Sequence, residues 1–106
     1  MYERGNGVPR DDAQAVKWFR KSADQGNATA QFSLGRKYHE GRGVGQDSVQ
    51  AYMWYNLAAE GFNADQTEER DQAVARRDEV AGNMTTDQIA EAQRLEQAWK
   101  PTRQAN

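Results

Sequence analysis

Residues 37–61 read KYHEGRGVGQDSVQAYMWYNLAAEG, and residues 1–26 read MYERGNGVPRDDAQAVKWFRKSADQG. Displaced by 36 positions, the two stretches pair Tyr2 with Tyr38, Gly5 with Gly41, Gly7 with Gly43, Val8 with Val44 and Asp11 with Asp47. The same offset continues through Ala15 and Ala51, Trp18 and Trp54, Phe19 and Tyr55, and Ala23 and Ala59. One residue is then dropped, so that Gly26 matches Gly61. Self-similarity at a period of this size marks stacked layers, each burying an apolar face against the next.

The matched residues have separable physical roles. The glycines of GNGV and GRGV permit the positive backbone dihedrals of a tight connection after a helix. Asp11 and Asp47 each precede a glutamine by three positions, Gln14 and Gln50, which is capping-box spacing. The sequence therefore predicts helices beginning near Asp12 and Ser48. At about 100° per residue, Ala15, Phe19 and Ser22 share one stripe, with Trp18 and Ala23 at its margins. Ala51, Tyr55 and Ala58 repeat the stripe, flanked by Trp54 and Ala59. Small alanines allow close helix approach while aromatics fill the space between layers.

Between the two loops, NATAQFSLGRKYHEG predicts another helix from about Ala28 to Glu40, with Ala30, Leu34 and Tyr38 as its inward row. Gly35 beside Leu34 permits a close neighbour. After Gly61 the repeat is lost. FNADQTEERDQAVARRDEVAGNM predicts a helix capped by Asp65 or Thr67, with Glu68 and Glu69 in its first turn and an end near Gly82. Ala73, Val74, Arg77, Val80 and Ala81 form its narrow apolar row. TTDQIAEAQRLEQAWKP predicts a last helix with Thr85 and Gln88 in capping-box spacing, Ile89, Ala92, Leu95 and Trp99 on one side, and Pro101 beyond.

The expected fold is all-α, a superhelix or solenoid of antiparallel helix pairs, about five helices in all, ending in a C-terminal capping helix. Residues 1–106 are expected to form a single domain. Residues 1–27 would be a partial first repeat, 28–62 a complete one, 63–101 a helical cap and 102–106 a frayed tail.

These residues resemble the Sel1-like repeat family, relatives of the tetratricopeptide repeat. The family pattern A-x-x-x-L-G-x-x-Y-x-x-G-x-G-V, then D, A, W-Y and A-A-x-x-G, is matched by Ala30, Leu34, Gly35, Tyr38, Gly41, Gly43, Val44, Asp47, Ala51, Trp54, Tyr55, Ala58, Ala59 and Gly61. The C-terminal MTTDQIAEAQRL is similar to a segment that often closes such proteins. Some cysteine-rich relatives are associated with penicillin binding and hydrolysis. This chain has no cysteine, so that activity is not carried over.

Composition narrows the function classes. The 106 residues carry a net charge of −2, which argues against nucleic acid or an anionic membrane as partner. Residues 1–42 hold eight basic and five acidic side chains, and residues 43–106 hold six and eleven. No apolar run approaches the ~20 residues of a membrane span. A soluble protein is expected, cytoplasmic or, after removal of a signal peptide, periplasmic. The periplasmic option is what the resemblance implies, because the family is common in bacterial envelopes.

No catalytic, cofactor or metal site emerges. His39 is the single histidine, and the acids at Asp11, Asp47, Asp65, Glu68 and Glu69 are accounted for by helix starts. GRGVGQD lacks the Lys-Ser/Thr of a phosphate loop and ends in an acid. No enzyme activity and no cofactor are expected. The outer face of helix 28–40 carries Thr29, Phe32, Arg36, His39 and Glu40. By resemblance to tetratricopeptide stacks, whose first helices line the concave side, this face implies a groove for a protein or peptide partner. A non-catalytic adaptor or scaffold is the leading expectation. The alternative is a homodimer or larger homo-oligomeric scaffold that associates through Val16, Phe19 and Ala23 on the N-terminal half-repeat.

Overall fold

The computed structural model describes the backbone of residues 9–100 and the side chains of residues 12–100. Five helices follow in chain order: α1 (Pro9–Asp24), α2 (Ala28–Glu40), α3 (Ser48–Gly61), α4 (Thr67–Ala81) and α5 (Thr86–Ala98). There is no strand among the described residues. Each helix packs on its successor from α1 to α4, and α5 returns onto α3. The matches at Tyr2, Gly5, Gly7 and Val8, and the tail 102–106, lie outside the described residues.

The connections are built as their sequences dictate. Asn27 caps α2, its side chain accepting from the Ala30 N–H at 2.9 Å. Asp47 caps α3 by accepting from the Gln50 N–H at 3.1 Å. Between them, Gly41 at φ +70° ends α2 and Gly43 at φ +79° turns the chain, after which the Asp47 N–H returns to the Tyr38 carbonyl at 3.0 Å. At α5 the full capping box forms, with Gln88 N–H donating to Thr85 Oγ1 at 3.1 Å and Thr85 N–H to Gln88 Oε1 at 2.8 Å.

Two helix starts differ from expectation. The described part of α1 already includes Pro9, so Asp11 lies inside the helix and is not its cap. Asp12 instead faces the end of α2, where Lys37 Nζ donates to its carboxylate at 3.1 Å and Arg42 Nη2 approaches at 3.5 Å. α4 is preceded by Gln66 with no side-chain cap, so neither Asp65 nor Thr67 has the expected role. Gln66 Oε1 accepts from the Asn63 N–H at 2.9 Å, and Thr67 Oγ1 donates to the Ala64 carbonyl at 3.2 Å.

α3 is the core helix. Ala51, Tyr52, Met53, Trp54, Tyr55, Leu57, Ala58 and Ala59 are all buried, which a helix shows only when neighbours surround it. α2, α4 and α5 do so here. Trp54 lies among Ala23, Ala30, Leu34 and Leu57, with the Trp99 ring edge-on at 6.0 Å and the Arg20 guanidinium 5.8 Å from its centroid. Its repeat counterpart Trp18 is 66% exposed, against 1% for Trp54. The two were expected at equivalent margins, but no described element covers Trp18 as Trp99 covers Trp54. Arg77, the one charged member of the narrow apolar row of α4, donates to Asn56 Oδ1 at 2.8 Å. Asn56 passes the contact on to Glu96 Oε1 at 2.6 Å, linking α4, α3 and α5.

Candidate functional site

Phe32, Arg36, His39 and Glu40 recur along α2 at the spacing of one helical face. Gln72, Arg76 and Glu79 recur along α4 at four and then three positions, so they too share a face. These two faces, with Tyr55 of α3 between them, line a cleft of about 500 Å³.

Tyr55 forms the floor because Gly35 lets α2 rest directly on its ring. A Cβ at Gly35 would lie 2.8 Å from Tyr55 Cδ1, inside ordinary contact distance. The Tyr55 ring is fully buried; it meets Phe32 at 5.5 Å between centroids and His39 edge-to-face at 6.1 Å. Its hydroxyl lies 3.4 Å from His39 Nδ1. Burial pushes the Tyr55 hydroxyl up to about 12, with smaller and opposing influences from Arg76, Glu40, Arg36 and Glu79. Four charges thus surround one buried phenol.

Each arginine is matched by an acid on its own helix. Arg36 Nε is 3.8 Å from Glu40, with the side chains 56% and 43% exposed. Arg76 Nη1 is 3.1 Å from Glu79, with exposures of 52% and 56%. Exposed pairs of this kind contribute about 0.2–1 kcal/mol, so a ligand can exchange them. The cleft therefore offers an apolar wall at Phe32, a buried aromatic floor and a ring of exchangeable charges, which suits an extended polypeptide better than a small apolar ligand.

Of the residues the sequence placed on this face, Phe32, Arg36, His39 and Glu40 line the cleft together. Thr29 is exposed one turn earlier on α2 and is not among the lining residues. Ala23, expected on an associating surface, is wholly covered within the chain's own core, and Val16 and Phe19 are half-buried against that same cluster. Among the described residues the exposed large apolar side chain of α1 is Trp18, beside Gln14 and Lys17 and with Lys21 Nζ 5.7 Å from its ring. Sequence reading missed Tyr55, which it assigned to the core, and Gln72, Arg76 and Glu79. The regular spacing of the α4 residues was visible, but α4 has no repeat counterpart to say which neighbour that face meets.

Among the described residues, no group of three or more His, Cys, Asp or Glu side chains could hold a metal ion. No described helix is long and apolar enough to cross a membrane.

The Sel1 repeat family model matches residues 1–27 and 28–61. Comparison with curated protein sequences gives no match. Among solved structures, the chain is similar to a protective antigen present in uropathogenic Escherichia coli strains, whose crystal structure displays an SLR fold. The likeness has 34% sequence identity and a TM-score of 0.63, and covers 85% of this chain but 18% of that one.

Proposed function

This chain belongs to the Sel1 repeat family, and from that membership and the α2–α4 cleft we propose that it is a non-catalytic adaptor that docks an extended segment of a partner protein. Sel1 repeats are in general protein-interaction modules, which supplies the class of function. The observation that carries the finer reading is the convergence of Phe32, Arg36 and His39 from α2 with Gln72 and Arg76 from α4 over the Tyr55 floor.

Two features favour a peptide occupant. The lining comes from helices on both sides, so an extended chain can touch both at once. The aromatic contacts supply packing while the exposed ion pairs supply exchangeable polar partners. In this reading α4 furnishes the second wall, while α5 packs back onto α3.

Selection of a displayed random-peptide library against the wild-type chain tests it, with the selected peptides then measured on the Phe32→Ala/Arg36→Ala double variant. Selected peptides are expected to bind wild type and Trp18→Ser alike, and to bind the double variant roughly tenfold or more weakly, the scale of losing one charge-assisted contact. Peptides that bind the double variant as well as wild type would remove the cleft from the account.

A further inference from the structure

The hydroxyl of Tyr55 and Nδ1 of His39 meet at the cleft floor, 3.4 Å apart, with the two rings edge-to-face. A neutral imidazole has one N–H and one acceptor nitrogen, and the partner of one nitrogen decides the state of the other. Tyr55 is wholly buried, and His39 Nδ1 is the partner of its hydroxyl among the described residues. With its pKa pushed up to about 12 by burial, the hydroxyl keeps its proton through the neutral range and is available to donate it. The backbone of His39 is held as well, its carbonyl accepting from Gln46 Nε2 at 2.9 Å.

We propose that Tyr55 is a positioning residue that fixes His39 as the Nε2–H tautomer and so offers that N–H to the carboxylate of a docked peptide, held between Arg36 and Arg76. The inference rests on the reading of the cleft as a docking site. Donation from Tyr55 makes Nδ1 the acceptor and leaves the ring's proton on Nε2, the nitrogen not engaged at the floor. Arg36 and Arg76 are the guanidinium groups among the lining residues, one from each wall. Among the described residues both pair with exposed acids on their own helices, which a carboxylate reaching the partly desolvated floor can displace. Glu40 and Glu79 remain beside the site and disfavour a second negative charge. The favoured segment therefore carries one acid next to an apolar residue that packs on Phe32.

His39 is the only histidine in the chain, so its ring signals in a long-range proton–nitrogen NMR correlation need no assignment. In mildly alkaline solution the free wild-type protein is expected to show a protonated Nε2 and an unprotonated, accepting Nδ1. Tyr55→Phe keeps the ring and removes the hydroxyl; it is expected to shift the signals toward a mixture of tautomers. Sodium propionate, a glutamate side chain without its backbone, is then the probe. It is expected to move the His39 Nε2 signal in wild type, and to need roughly tenfold more to do so in Arg36→Gln/Arg76→Gln. A predominant Nδ1–H tautomer in wild type, or a tautomer ratio unchanged in Tyr55→Phe, would overturn the positioning role. Failure of propionate to move the signal would overturn the carboxylate assignment. The tautomer is read without ligand, so its failure is separable from failure of the cleft as a docking site.

Discussion

Gly43 stands at φ +79°, and a Cβ built there would lie 2.5 Å from the Asp12 carbonyl carbon and oxygen of α1. Both the dihedral and the clash are with backbone, which cannot swing aside as a side chain can. Gly43→Ala is therefore expected to lower stability by more than about 1 kcal/mol in chemical denaturation. The need for glycine here was legible in the repeated G-x-G-V. The backbone of α1 lying against Gly43 was not. Glu60 shows a different kind of residue effect. Its carboxyl is pushed above the ordinary range first by burial and then by the hydrogen bond and charge of Glu96, with Arg77 opposing. The folded chain thus binds this proton more tightly than the unfolded chain, so the stabilisation is full below the unfolded pKa and is lost as pH rises through the folded value. Glu60→Gln is expected to raise stability at neutral pH by roughly the few tenths of a kcal/mol typical of exposed charges, read as a higher melting temperature. The gain should shrink as pH is lowered toward the ordinary glutamate value of about 4.3. A gain that grows in acid would contradict the sign.

Among the helices, α3 and α1 carry the same repeated residues in different surroundings. Trp54 is enclosed by α1, α2 and α5, while Trp18 projects from α1 beside two lysines. Trp54→Ala is expected to cost about 3–5 kcal/mol, the range for emptying an aromatic site in a packed core. Trp18→Ala is expected to stay within about 0.5 kcal/mol of wild type. Equal losses in denaturant titrations of the two variants would show that the repeat, and not the neighbours, sets the role of each tryptophan. Periodicity alone marked the stripe on α3, yet it could not show that α5 folds back to cover the remaining side. That cover depends on Trp99, which follows α5 and has no tryptophan counterpart in either repeat. The same absence of a counterpart explains α4: its apolar row is narrow, its cap was misread, and nothing in its sequence fixed which face meets α2.

Across the whole molecule, the helical repeat was readable because two copies of one pattern constrain each other, residue against residue. One wall of the cleft was readable from helical spacing alone: the inward row Ala30, Leu34 and Tyr38 defines the opposite face, on which Phe32, Arg36 and His39 fall. The other wall and the floor required tertiary structure. Tyr55 belongs to the buried stripe and to the cleft together, a double role that spacing cannot reveal, and Gly35 is what lets α2 lie close enough for it. The central claim is that a partner segment lies between α2 and α4. It is tested most directly by measuring intermolecular nuclear Overhauser contacts in a complex with a library-selected peptide. The account predicts contacts from the peptide to the Phe32 ring and to Arg76 in the same complex. Contacts confined to Trp18 and the lysine side chains of α1, with none to α2 or α4, would contradict it.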